Sequence, residues 1–254
     1  MHNDPLHTAL AVATEAGAVL LQHLALPREI AEKSQRADLV TDADRASERL
    51  IVERLKSAYP AATILAEESG ELAGSAHERW IVDPLDGTTN FAHGYPLFCI
   101  SIAYEAGGEL VAGVVHAPAM GETFAALRGE GATCNGKPIA VSAIARLADA
   151  LTCTGFRPAD YDRNGRAFEA VSRRAQGVRR DGSAALDLAY VACGRFDGFW
   201  ELDLRPWDVA AGTLLVREAG GTVTQANGKR AALDAGSILA TNGRIHEELR
   251  AALG

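Results

Sequence analysis

The 254-residue chain lacks several features that mark out large classes of protein. Its four cysteines, Cys99, Cys134, Cys153 and Cys193, form no Cys-x-x-Cys pair, and no histidine stands at zinc-ligand spacing from them. This argues against a zinc ribbon or a dithiol motif and leaves buried free thiols in a reducing compartment, the cytoplasm. Basic charge is scarce: 25 Lys and Arg stand against 33 Asp and Glu, a net charge of -8. Without a basic excess a surface neutralises phosphate backbones poorly, so direct nucleic-acid binding is not expected. A small phosphorylated ligand stays open, because metal ions can supply positive charge locally. No apolar run has the look of a membrane span. The nearest, LHTALAVATEAGAVLLQHLAL, is interrupted by Glu15, Gln22 and His23, and no Lys or Arg precedes it. It reads as a core-facing helix and not as a signal peptide. Repeats, low-complexity tracts and obvious linkers are also missing.

What is present is a 48% hydrophobic chain long enough for a sizeable core. Leu6, Leu10, Ala13, Gly17, Leu20 and Leu24 recur at helical spacing, with Pro27 after the end. A second helix is expected in DLVTDADRASERLIVERLKSAYP, where Thr41 and Asp44 suit a cap and Pro60 a stop. TILAEES and RWIVD read as strands, and the segment from Phe98 to Gly129 as a meander of antiparallel strands. After about residue 142 strands and helices alternate. The class is α/β with mixed α+β character, in two halves, 1–142 and 143–254, that form one compact unit.

Four acidic groups fall at element ends: Glu67-Glu68 after TILA, Asp83 and Asp86 after WIV, Asp44 at the second helix start, and Asp208 at the start of WDVAAG. Strand ends and helix starts are where open α/β folds gather ligands. Taken singly, each has a plain explanation. Asp86-Gly87 is a tight-turn dipeptide, Asp44 completes a cap, Glu67-Glu68 is a solvated strand end, and Asp208 serves the helix dipole. The combination in WIVDPLDGTTNF says more. An apolar strand delivers Asp83, Pro84 stiffens the turn, Gly87 permits close backbone approach, and Thr88 and Thr89 add hydroxyls suited to a phosphate oxygen. Two carboxylates about 4 Å apart repel by about 4 kcal/mol at an effective dielectric of 20. Acids from these clusters could share a pocket with a phosphate only if cations joined them, and oxygen donors alone favour Mg²⁺ over zinc or copper.

AEES, DPLDGTTNF and WDVAAGTLLVREAGG, with DLVTDAD upstream and GSAALDLAYVACGRFDGFWE between, resemble the inositol monophosphatase family, nearest its bacterial branch. The resemblance runs over essentially the whole chain in the family's motif order. It implies the layered α-β-α-β-α fold of the Mg-dependent, Li-sensitive sugar phosphatases, two or three Mg²⁺ ions, and a homodimer. Carried over residue by residue, it implies that Glu67, Asp83 and the Leu85 carbonyl hold one ion. Asp83, Asp86 and Asp208 hold a second, and Glu67 shares a third. Gly87 and Thr88 would contact the phosphate, while Asp44 and Thr88, with Glu67, would serve the attacking water. Gly182, Ser183 and Ala184 would line the substrate pocket, and Glu201 would bind a polyol hydroxyl. Ala66 stands where the family often has Gly, Leu85 where it often has Ile, and Asp181 adds a charge beside the pocket.

The implied activity is hydrolysis of inositol monophosphate or a similar small polyol phosphate by metal-activated water. The alternatives are a sister activity on histidinol phosphate, fructose 1,6-bisphosphate, NADP or a 3′-phosphoadenosine nucleotide, or a partnership with the transcription machinery. The short SGELAGSAHER segment counts against the nucleotide substrates. Trp80, Trp200 and Trp207 read as core, with Trp200 also a candidate pocket wall. His93 and His116 read as structural or surface residues. Arg179 and Arg180 read as solvated or at a subunit contact, with a second phosphate site the other option.

Overall fold

The computed structural model describes residues 4–25, 30–32 and 39–254. Helix α1 (Pro5–Leu24) and helix α2 (Asp42–Ala58) open the chain, with a short antiparallel pair, β1 (Ile30–Glu32) and β2 (Leu39–Thr41), between them. Asp4 caps α1 by accepting from Leu6 N at 2.9 Å, and Pro5 sits where its missing N–H costs nothing. The buried stripe of α1 is Ala9, Val12, Ala13, Ala16, Gly17 and Leu20. It is broader and smaller in side chain than the expected leucine stripe; Leu6, Leu10 and Leu24 are only partly buried. Pro27 lies outside the described residues, as does the side chain of Thr41.

The first sheet holds β3 (Ala62–Ala66), β4 (Gly70–Leu72), β5 (Ser75–Asp86), β6 (Cys99–Ala106), β7 (Glu109–Ala117), β8 (Glu122–Leu127), β9 (Gly131–Cys134) and β10 (Lys137–Ile139). Their spatial order is β10-β9-β8-β7-β6-β5-β3-β4, and all neighbours are antiparallel except β3 and β5. A five-residue helix, α3 (Thr88–Ala92), sits between β5 and β6. The second sheet holds β11 (Leu151–Gly155), β12 (Gly177–Arg179), β13 (Gly198–Leu202), β14 (Thr222–Thr224) and β15 (Ser237–Thr241), in the order β12-β11-β13-β15-β14. Between and after its strands come α4 (Tyr161–Ser172), α5 (Ala184–Ala192), α6 (Pro206–Glu218) and α7 (His246–Leu253). The short strands β12 and β14 were not expected, because three residues carry too little periodicity to read.

Five layers result. Helices α1 and α2 cover one face of the first sheet, and α5 and α6 cover the other; these two also pack against the second sheet, whose far side meets α4 and α7. This is the α-β-α-β-α order that the resemblance implied. Both faces of the first sheet are therefore buried, which explains its unbroken apolar strands. Along β5 and β6 the side chains alternate between two cores: Trp80, Val82, Ile100 and Ile102 face α1 and α2, whereas Ile81, Cys99 and Ala103 face α5 and α6. Helix α6 lies close to the sheet because Gly113 of β7 has no side chain; a Cβ there would stand 3.1 Å from Ala211 Cα and O. Among the described residues no helix is long and apolar enough to cross a membrane.

Candidate active site

The alternation along β5 aims Asp83 toward α6. It follows Ile81 on the same face and pairs with Ser101, whose hydroxyl donates to Trp207 O at 3.1 Å at the start of α6. The register shifts between Asp83 and Asp86, so the chain bulges where the carboxylates sit. Local bonds fix the bulge. Leu85 N donates to Asp83 Oδ1 at 3.0 Å, Thr88 Oγ donates to Leu85 O at 3.0 Å, and Ser47 Oγ of α2 donates to Pro84 O at 2.8 Å. Gly87 then turns the backbone at φ 91°, and a Cβ there would lie 2.9 Å from Leu97 O. Both facts require glycine.

The other acids arrive from separate elements. Asp44 is buried in the first turn of α2. Glu67 and Glu68 lie in the turn between β3 and β4, one step past the strand end expected of them. Glu48, buried one turn after Asp44, accepts from Glu68 N at 2.8 Å and so holds that turn to α2. Asp208 is in the first turn of α6 and accepts from Arg205 N at 2.7 Å, so it does serve the helix start. Asp86 Oδ2 accepts from Ser183 Oγ at 2.8 Å and Ala185 N at 2.7 Å, joining β5 to the start of α5. Asn90 Nδ2 makes a second such tie, donating to Leu97 O at 2.6 Å and Asp181 O at 2.7 Å.

These elements enclose a cleft of about 770 Å³. Of the expected residues, Glu67, Asp86, Gly87, Thr88, Gly182, Ser183, Ala184, Glu201 and Asp208 line it. Asp44, Asp83 and Leu85 lie buried and do not form its surface. Asp83 nevertheless feels Glu67, Asp86, Asp208 and Asp44 electrostatically. Burial, and then those four neighbours in that order, hold its carboxyl well above the ordinary range. Burial pushes Asp86 up to about 6 against the lowering bonds from Ser183 and Ala185. Burial, with the Asp86 charge next, pushes Asp208 up to about 8. Glu201 is raised well above its usual value by burial and then by Asp208 and Asp86, with Arg180 and Arg157 opposing. Asp86, Asp208 and Glu201 keep some contact with solvent at the cleft, which tempers these rises.

The donor set fits hard divalent cations. Every candidate is an oxygen, and the carboxylates crowd one another in a desolvated place where only protons or cations relieve the repulsion. Among the described residues no three His, Cys, Asp or Glu side chains stand as a ready ligand cluster. Asp83, Asp86 and Asp208 each accept an internal hydrogen bond instead.

The sequence profile of the inositol monophosphatase family matches residues 2–254. This chain belongs to that family. Similar proteins include an inositol-1-monophosphatase of Synechocystis sp., 47% identical over 98% of this chain and 89% of the relative. Another is the Nus factor SuhB of Pseudomonas aeruginosa, 43% identical over 96% of this chain and 93% of the relative. Among solved structures, an inositol monophosphatase from Anabaena (Nostoc) sp. superposes with a TM-score of 0.88 at 45% identity, covering 98% of this chain and 94% of that one. Membership in the inositol monophosphatase family makes the chain a phosphatase and implies a divalent metal cofactor.

Asn90 lines the cleft, and Ser47, Glu48 and Asp187 lie behind it, without any mark in the sequence. Ser47 and Glu48 stand on the α2 face below Asp44, and only the buried stripe of that helix could have flagged them. Asn90 follows the DGTT motif. Asp187 lies on the wholly buried α5, where burial and then Asp181, Glu201 and Asp86 hold its carboxyl well above the ordinary range. Trp200 does not wall the pocket: β13 turns it into the core beside Leu239, Ile245 and Leu249. Trp207 lines the cleft instead, as do His93 and Arg180, the last with its guanidinium 4.5 Å from the Phe156 ring centroid. His116 bonds Thr123 Oγ1 at 2.9 Å, as a structural residue does.

Ser183 is 2% exposed, and its hydroxyl is committed to Asp86. If Asp86 holds a divalent cation, Ser183→Ala is expected to raise the cation concentration for half-maximal activity about tenfold, in keeping with outer-shell partners of metal ligands. The cation concentration that half-stabilises the protein against heat should rise equally. An unchanged cation dependence in both assays would show that Asp86 needs no such support.

Proposed function

We propose that this phosphatase hydrolyses monoesters of small polyols, inositol monophosphate among them, with two or three Mg²⁺ ions and with sensitivity to Li⁺. The carrying observation is that Glu67, Asp86 and Asp208 line one cleft with the Gly87-Thr88 turn, while the buried Asp83 feels all three and Asp44 besides. In this reading Glu67, Asp83 and the Leu85 carbonyl hold one ion and Asp83, Asp86 and Asp208 a second, with Glu67 shared by a third. Bound there, the ions would neutralise the carboxylates and the phosphate and acidify a water. The chain supplies the rest. Thr88, oriented by its bond to Leu85 O, and the buried Asp44 position the attacking water and hold its proton. The backbone at Gly87 approaches the phosphate closely, and Gly182, Ser183 and Ala184 form the facing wall. The two halves act as one unit, because Asp86 is held by α5 and Asp208 belongs to α6. We also read the protein as a cytoplasmic homodimer, on its four free thiols and the family resemblance.

Glu201, at the end of β13, lines the same cleft and suits a polyol hydroxyl. Glu201→Gln is expected to lower kcat/KM for a polyol phosphate about tenfold, the worth of one good buried hydrogen bond. The loss on a simple aryl phosphate should be less than about threefold by the same reasoning. Equal losses on both substrates would move Glu201 into the hydrolytic or folding apparatus. Phosphate release from inositol, histidinol, sugar and nucleotide phosphates, compared by kcat/KM, tests the substrate class. A best substrate outside the polyols would replace it with a sister activity. The Pseudomonas relative's name favours a second reading, partnership with the transcription machinery. In that case a catalytically dead variant would still complement a deletion strain.

A further inference from the structure

Helix α6 has a second lined stripe. Asp208 faces the catalytic cleft, whereas Pro206, Val209, Thr213 and Arg217, spaced three or four apart, face another cleft of about 570 Å³. The segment Arg230–Asp234, β15 and the β6–β7 turn complete it, and Leu204 is a wall common to both clefts. Its floor is apolar: Leu110, Val209 and Ile238 are nearly buried beneath it. Its rim is charged, and the charges are unevenly matched. Arg79 has its own partner, Glu105, at 3.0 Å. At the other end three guanidinium groups share one carboxylate. Glu109 lies 3.1 Å from Arg128 and 3.8 Å from Arg230, and Arg217 is its third electrostatic neighbour. Asp234, exposed on the rim, is the remaining acid. The rim with Arg128 thus carries four arginines against three acids, on a chain whose net charge is -8. Desolvation and then Arg230 press the Arg217 guanidinium below its ordinary value, Glu109 opposes, and Arg128 adds to the pressure. An anion between these arginines would relieve that conflict.

We propose that this second cleft binds a small organic anion, its phosphate, phosphonate or carboxylate head between Arg217 and Arg230 and its apolar or ring body on the floor of Leu110, Val209 and Ile238. The site is independent of the phosphatase reading and holds none of that reading's metal-binding residues, so its ligand is bound and not hydrolysed there.

Phenylphosphonate joins such a head to a ring and contains no ester to cleave. Calorimetric titration of the full chain with this compound, in EDTA and at low salt, reads the second cleft, because the catalytic cleft then lacks the cations that would hold an anion there, and the arginine variants assign the signal. One site is expected, with inorganic phosphate binding about fivefold more weakly for want of a body to bury. Arg217→Ala and, separately, Arg230→Gln should each weaken phenylphosphonate about tenfold, the usual loss for a charge-assisted contact. Glu201→Gln should leave it unchanged. Arg230 has a side chain 89% exposed, so its replacement leaves the fold intact whatever Arg217→Ala does. Absence of binding to the unmodified protein, or undiminished binding to Arg230→Gln, would overturn the assignment, and neither result bears on the phosphatase activity.

Discussion

Asp86→Asn is expected to lower kcat by about a thousandfold, roughly 4 kcal/mol of barrier, while the fold stays in place. The shape of the side chain is kept, and an amide oxygen can still accept from Ser183 Oγ or Ala185 N. What disappears is the negative charge. In the metal-free protein that charge is one of the repulsions that Asp83 and Asp208 feel, so heat stability in EDTA should stay level or rise. Loss of turnover without loss of stability separates a ligand from a structural residue. Wild-type kcat at saturating Mg²⁺ would remove Asp86 from the metal set.

The second large effect is on stability against pH. An Asp in an unfolded chain titrates near 3.9, whereas in the fold Asp86 is pushed up to about 6 and Asp208 to about 8, with Asp83 also well above the ordinary range. The folded protein thus holds these protons more tightly than the unfolded chain does. Their contribution is fully present below about pH 4 and is lost as pH rises through the folded-state values, near 6 and then near 8. The carboxylates titrate together, so the loss is spread over that window. In EDTA the Tm should fall by about 5–10 °C between pH 5.5 and 8.5, a few kcal/mol for a chain of this size. In the proposed reading Mg²⁺ would replace the lost protons, so its stabilising effect should be small at pH 5.5 and large at pH 8.5. A Tm in EDTA that is flat or rises over that window would mean that the cluster is not held in this protonated, crowded state.

Much of this architecture could be read from the residues, and the parts that could not have physical causes. Helices α1 and α2, the meander from β6 to β8 and the alternation after residue 142 show in periodicity and in glycine and proline punctuation, because they are long or sharply bounded. Strands β12 and β14 are three residues each and exist through pairing with β11 and β15, which local sequence does not encode. The carboxylates that line or underlie the cleft were legible because WIVDPLDGTTNF places unlike residue types at an element end. Ser47, Glu48 and Asn90 were not, since each acts through a partner far along the chain: Pro84, Glu68 and Asp181. The two tryptophans show the same limit. Trp200 and Trp207 look alike in sequence, and only the face of β13 and the start of α6 decide which one meets the cleft.

The central claim is that the crowded acids of β5, the β3–β4 turn and α6 exist to gather divalent cations for phosphomonoester hydrolysis. Phosphate release from inositol 1-phosphate, followed while EDTA-stripped protein is titrated with Mg²⁺, tests it most directly. The account predicts essentially no release in EDTA and a saturable rise with Mg²⁺, with the half-saturating concentration falling as pH is raised from 6 to 8. The same rate in EDTA as in Mg²⁺, or a half-saturating concentration that does not change with pH, would contradict it.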